Sequence, residues 1–174
     1  GKQVRCADLG FVVETILELS ELGCQVENLQ MDGNLIAPEG VRILLRQLVR
    51  NGFALHELSL SSNPGIGPLG VLALCKHLES ENFAVRTIRL AGCAIDSKAG
   101  LALAAALPRC PSLTHLDLRH NDLDDAAVEA LLCSCHCTTT MTTTDRWRGS
   151  GQARRRSDSP MRATIDVEGN QSVS

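Results

Sequence analysis

Aromatic side chains are nearly missing from this chain of 174 residues: they make up 2% of it, as three phenylalanines, one tryptophan and no tyrosine. The chain is still long enough to bury a sizeable single core. Leucine, valine, isoleucine and alanine must therefore fill that core without rings. Other absences narrow the function. No apolar run reaches about 18 residues and the start is not signal-like, so no membrane partner is expected. Residues 1–137 carry 11 Lys plus Arg against 16 Asp plus Glu, and residues 138–174 carry six Arg against four acids. Neither part is basic enough for a nucleic-acid groove. There is no G-x-S-x-G, no H-E-x-x-H and no phosphate loop, which leaves neither an enzyme nor a cofactor to expect. The chain opens on Gly1 and not on Met, the pattern of a fragment of a longer protein.

Eight cysteines are present, but they do not form a disulfide framework. Cys75 falls on the core stripe of an expected helix, Cys93 ends a strand, and Cys6, Cys24 and Cys110 are scattered. Only Cys133, Cys135 and Cys137 cluster, with His136 among them. Four soft ligands in so short a run invite zinc. Adjacent His136 and Cys137 cannot readily join Cys133 and Cys135 around one tetrahedral ion, so no metal is expected. Cys135 reads instead as core at a helix end. Reduced thiols used as small apolar residues suit the cytosol, and a cytoplasmic location is expected on that ground.

What the chain does have is repetition. In residues 113–123, L-T-H-L-D-L-R-H-N-D-L, Leu113, Leu116 and Leu118 alternate as a short strand that Asn121 ends. Val26, Leu29, Met31 and Asn34 copy that frame, as do Leu55, Leu58, Leu60 and Asn63, and Val85, Ile88, Leu90 and Cys93. The steps are 29, 30 and 28 residues, an internal repeat. A turn and a helical stripe follow each strand. Ile36, Gly40, Val41, Leu44, Leu45 and Leu48 define the stripe, and its spacing recurs from Ile66, Ile95 and Leu123. One additional residue in N-P-G-I-G accounts for the step of 30.

At the ends the pattern fades. Residues 1–25 place Phe11, Val12, Thr15, Ile16 and Leu19 at helical spacing, with Gly23 to stop the helix. They read as a partial repeat or an N-terminal capping helix. Residues 138–174 are polar and rich in Gly, Ser and Arg, and read as a disordered tail. Its last residues, T-I-D-V-E-G-N-Q-S-V-S, alternate weakly and would be an isolated strand at best, leaving the fourth helix with an uncapped outer face.

The frame over residues 26–137 resembles the leucine-rich repeat, in the long, helix-containing form of ribonuclease inhibitor. The resemblance implies an α/β solenoid of about four full repeats, with a parallel concave sheet and convex helices. Leu29, Leu58, Ile88 and Leu116 should share one buried row. Asn34, Asn63 and Asn121, with Cys93 in the same file, should form a ladder that bonds the backbone where each strand bends away.

In L-x-x-L-x-L the leucines point inward and the residues between them outward. The outward set is Asn28, Gln30, Asp32, Glu57, Ser59, Ser61, Thr87, Arg89, Ala91, His115, Asp117 and Arg119. It reads as a protein-binding face with Arg89 and Arg119 as its anchors. Arg89 and Asp117 occupy one row on adjacent strands and are expected to pair. His115 and Asp117 share a strand face, but no nucleophile accompanies them. On the convex side, Leu101, Ala102, Ala105 and Ala106 are expected to leave an apolar patch. The function that follows is a non-enzymatic protein-protein interaction scaffold with a protein partner. The resemblance also implies two alternatives: GTPase activation of the Ran GTPase-activator type, and a ligand-sensing repeat region of an innate immune receptor. Ribonuclease inhibition is weakened by the few repeats and the ring-free concave face.

Overall fold

The computed structural model describes residues 4–5, 8–53, 55–78, 85–134 and 164–170. Helix α1 (Leu9–Glu21) leads into four strand-helix units: β1 (Asn28–Gln30) with α2 (Pro38–Asn51), β2 (Glu57–Ser59) with α3 (Gly67–Leu78), β3 (Thr87–Arg89) with α4 (Ser97–Ala106), and β4 (His115–Asp117) with α5 (Asp125–Ser134). A further strand, β5 (Thr164–Asp166), completes a five-stranded sheet in the order β1-β2-β3-β4-β5. Every pair is parallel, because each strand is reached through a helix that returns the chain to the same edge. This is the expected α/β leucine-rich solenoid.

The register places Leu29, Leu58, Ile88, Leu116 and Ile165 in one row. Leu58, Ile88 and Leu116 have no exposed surface and Ile165 keeps 4%. Full burial of such a side chain is worth about 1.5–3 kcal/mol. The helices turn their stripes onto this layer: Val41, Leu44, Leu45 and Leu48 from α2, Val71, Leu74 and Leu78 from α3, and Ala99, Leu103 and Ala104 from α4 are all buried. Pro38 opens α2 and Gly52, in the left-handed region at φ 62°, closes it. Asp96 caps α4 by accepting from the Ala99 N–H at 2.8 Å, and Asp124 does the same for Ala127 at 2.8 Å. Gly100 is small for a packing reason, since a Cβ there would lie 2.7 Å from Leu123 Cδ2 of the next repeat.

The ladder at the strand ends forms as expected. Asn63 Nδ2 donates to Met31 O and Leu60 O, both at 2.9 Å, while its Oδ1 accepts from the Ile36 N–H at 3.2 Å. Asn121 repeats this with Leu90 O and Leu118 O, and accepts from Cys93 and Ile95. The residue just before each ladder position takes positive φ: Gly33, Ser62, Gly92, His120 and Gly169. Cys93 is the exception in chemistry. Its thiol donates to Leu60 O at 3.3 Å but supplies no acceptor to the preceding repeat. That preceding repeat is the one with the additional loop residue. There the Ile66 N–H donates to Asn63 O at 3.0 Å and the Gly67 N–H to Cys93 O at 3.1 Å. Backbone carbonyls thus replace the missing side-chain oxygen.

Two expectations about the ends need correction. The first concerns the tail. T-I-D-V-E-G-N is no isolated strand: Thr164, Ile165 and Asp166 pair with His115, Leu116 and Asp117. Asn170 takes the ladder position, donating to Leu118 O at 3.0 Å and Val167 O at 2.7 Å and accepting from the Leu123 N–H at 3.2 Å. The physical reason is the frame itself, since Ile165, Val167 and Asn170 stand where Leu116, Leu118 and Asn121 do. The rest of the expected tail, residues 138–163 and 171–174, lies outside the described residues. The second correction is the face of α1. Leu9, Val13 and Ile16 are buried, whereas Phe11 is 73% exposed. Ahead of α1, Val4 makes the contacts that Ile95 makes three repeats further along the sheet. Its N–H donates to Asn34 Oδ1 at 2.7 Å and its carbonyl accepts from the Leu35 N–H at 3.0 Å.

Candidate functional site: the outward face of the sheet

Three-residue strands present two outward positions each, and the turns that follow present more. The outer row runs Asn28, Glu57, Thr87, His115 and Thr164, and the next runs Gln30, Ser59, Arg89, Asp117 and Asp166. Asn28, Gln30, Asp32 and Arg89 are exposed, and Glu57, Ser61, Thr87, His115 and Arg119 are half-buried. Ser59 and Asp117, expected in the accessible set, are instead 1% and 2% exposed.

Both buried residues are enclosed by their neighbours' polar groups. Ser59 Oγ donates to Asp32 Oδ1 at 2.6 Å, and the same oxygen accepts the Ser61 N–H at 2.8 Å. The Asp117 carboxylate is clamped by Arg119, whose Nε donates to Oδ1 at 2.9 Å and whose Nη2 donates to Oδ2 at 2.8 Å. The Arg119 backbone N–H adds a third bond at 3.1 Å. Burial alone would raise the Asp117 pKa, but the bonds and charge of Arg119 outweigh it and hold the carboxyl below its ordinary 3.8. Such bidentate pairs fix geometry as well as charge.

The expected pairing of Arg89 with Asp117 is therefore not the one found. Their shared row is correct, but Arg119 occupies the Asp117 oxygens. Arg89 turns the other way, its Nε lying 3.0 Å from Glu57 Oε1 on β2. The N–H is not aimed at that oxygen, which has no directed hydrogen bond. The contact is an ion pair and not a clamp, so Arg89 keeps its hydrogen-bonding capacity. Of the two expected anchors, Arg89 is available and Arg119 is committed to the protein's own backbone turn.

Sequence reasoning missed Asp166 and Glu168. Asp166 Oδ2 lies 3.5 Å from His115 Nε2, so the acid within ion-pair distance of the histidine is on the next strand. Both acids were hidden because β5 was not counted as a repeat. On the described face five carboxylates, Asp32, Glu57, Asp117, Asp166 and Glu168, face two guanidinium groups, Arg89 and Arg119. Among the described residues no group of His, Cys, Asp and Glu could hold a metal ion. Cys133 is exposed, while Cys135, His136 and Cys137 lie outside those residues. Among the described residues, too, no helix is long and apolar enough to cross a membrane.

The family description "Leucine Rich repeat" matches residues 54–75 and 109–132. Among similar proteins, the NACHT, LRR and PYD domains-containing protein 12 of Mus musculus is 31% identical over 115 residues, which is 66% of this chain and 11% of that protein. The ribonuclease inhibitor of Mus musculus is 33% identical over 115 residues, 66% of this chain and 25% of that protein. The ribonuclease inhibitor of Sus scrofa is 32% identical over 116 residues, again covering 25% of its length. The chain thus spans about a tenth to a quarter of these relatives.

Proposed function

The chain belongs to the leucine-rich repeat family, in its ribonuclease-inhibitor-like form, and from that premise we propose that it is a non-enzymatic repeat region that binds a protein through the outward face of its sheet. The observation that carries this reading is the division of labour on that face. Asp32, Ser59, Asp117 and Arg119 bond one another and the backbone, and so make the surface rigid. Asn28, Gln30, Thr87, Arg89, His115, Asp166 and Glu168 are held out from it with capacity to spare. Rigid presentation lowers the ordering cost of binding, and an arginine held by one loose ion pair can exchange it for a partner's carboxylate.

The relatives named for NACHT, LRR and PYD domains support a finer form of the proposal, in which the repeats are one part of a larger, multi-domain intracellular protein. Location inside the cell rests on the thiols: Cys93 is a hydrogen-bond donor, and Cys93 and Cys110 are both buried. The test is capture of partners from cell extract with the native chain, an Arg89→Glu plus Thr87→Lys variant, and a convex-side Arg50→Glu control. A partner lost by the first variant and kept by the control supports the sheet face. Equal capture by all three overturns the proposal.

A further inference from the structure

The helical side of the solenoid carries a feature that the sheet face does not explain. Between α3 and α4 runs a groove of about 580 Å³. Leu69 and Leu72 form its wall, Ala102 and Ala105 its floor, and Arg42 and Lys76 its rim. Composition makes the groove. Where α2 and α3 place Arg46 and Lys76, α4 places Ala105, so the helix surface sinks by most of a long side chain. Leu69 is 68% exposed and Leu72 41%. Ala106, expected in this patch as an outward residue, is buried at 4%.

The groove is electropositive. Lys76 and Arg109 line it and, among the described residues, no carboxylate does, while Arg42 is neutralised by Glu39 at 2.6 Å. His77, also at the groove, holds its proton less tightly than usual, first through burial and then through Arg46 and Lys76.

The complementary surface is in the same chain. Helix α1 contains Glu14, Glu18 and Glu21 and no cation. Its buried Val13 and Ile16 stand where Val41 and Leu44 stand in α2, 28 residues on. Phe11, Glu14, Glu18 and Leu22 therefore take the places of Glu39, Arg42, Arg46 and Arg50. All four are exposed, with Phe11 at 73% and Leu22 at 79%. These are convex positions, not the flank on which a preceding repeat would stack. The result is one outward helical face with an apolar residue at each end and carboxylates between.

We infer that the groove between α3 and α4 receives the outward face of α1 from a second copy of this chain. Phe11 would sit against Leu69 and Leu72 over the alanine floor, with Glu14 and Glu18, one and two turns further on, meeting Lys76. The contact is heterologous. Each copy can be bound through its groove and its α1 at once, so association continues past two copies, into a filament or, where the rotation closes, a ring. Two convex surfaces touch over a small area, which makes it weak and salt-sensitive.

The test is sedimentation of the full chain up to about 1 mM, the range where weak contacts populate, with Phe11→Glu and Leu72→Glu variants alongside. Both substitutions fall on exposed side chains, and circular dichroism checks that each variant is folded. The native chain is expected to form a concentration-dependent series that higher salt weakens, and each variant alone to be monomeric. Mixed together, the two variants have one intact groove and one intact α1 between them. They should form a 1:1 complex and nothing larger. A monomeric native chain across the whole range overturns the inference, as does a mixture of folded variants that fails to pair. Binding of the monomer to phosphatidylserine vesicles, abolished by Lys76→Glu, would assign the groove to an anionic membrane and overturn it too.

Discussion

Replacing Asn170 with alanine tests whether the stack extends through β5. The substitution removes the two bonds that Asn170 Nδ2 donates, to Leu118 O and Val167 O, and the one its Oδ1 accepts from the Leu123 N–H. Leu118 O keeps a donor, Asn121 Nδ2, at 3.0 Å. Val167 O and the Leu123 N–H lose theirs, at a cost of about 1–3 kcal/mol for partly buried groups left unpaired. Terminal units of a repeat array open without the rest, so the loss should appear locally. Hydrogen exchange resolves it. The Leu118 and His120 amides donate to Asp166 O at 2.7 Å and Glu168 O at 2.9 Å, and report β5 directly. Their exchange should quicken by roughly tenfold to a hundredfold, since about 1.4 kcal/mol is a factor of ten. The Leu90 and Gly92 amides make the same bonds one strand inward, to Asp117 O and Arg119 O, and should hardly change. Unchanged exchange at Leu118 and His120, or an equal rise at Leu90 and Gly92, refutes independent docking of β5 through Asn170.

Leu116→Ala empties a fully buried site in the middle of the shared row, and should lower stability in urea by about 2–5 kcal/mol; a loss below about 1 kcal/mol would place Leu116 outside the core. Asp117→Asn should flatten the acid limb of the stability profile. The folded pKa of Asp117 lies below 3.8, so its contribution is present above the unfolded value and is lost as pH falls through the folded one. Equal acid sensitivity in native and variant chains would contradict the Arg119 clamp. Cys93→Asn restores the ladder residue yet should bring no gain in melting temperature, because the Ile66 and Gly67 N–H groups already donate to backbone carbonyls. A gain above about 1 kcal/mol would show that an amide donor had been waiting.

The core was legible because burial obeys the repeat. Leu58, Ile88 and Leu116 occupy equivalent places, and any one of them predicts the environment of the others. The outward face was legible only as positions. Which partner each side chain takes depends on the residues one strand away and two along, and these vary freely between repeats. Arg89 had two carboxylates within reach of its row. It took Glu57 because Arg119, two residues beyond Asp117 on the same side, had the shorter path to Asp117. Ser59 looked accessible by its place in the frame. Asp32, in the turn of the previous repeat, leaned across and buried it. The face of α1 was misread because Phe11, Val12, Thr15 and Leu19 also fit helical spacing. Leu9 and Val13 describe a stripe at the same spacing, rotated from the first.

The fifth strand was missed for a different reason, which bears on how far such arrays tolerate interruption. Five residues separate Asn51 from Glu57, eight separate Leu78 from Thr87, and 29 separate Ser134 from Thr164. A search for a fixed step fails at that third interval, although the frame T-I-D-V-E-G-N is intact beyond it. The physics does not require the step. Closing a loop costs about 0.6 kcal/mol more for each doubling of its length. Lengthening the connection from eight residues to 29 is roughly two doublings, so the added cost is near 1.2 kcal/mol. Burying Ile165 alone returns about 1.5–3 kcal/mol, before the bonds of Asn170 are considered. The insertion falls where a helix hands over to a strand, away from the ladder asparagines and the buried row. A repeat can therefore join the stack across a long intervening sequence, provided that its own leucine-type positions and its asparagine are present. Periodicity locates repeats, but the frame is what makes them pack.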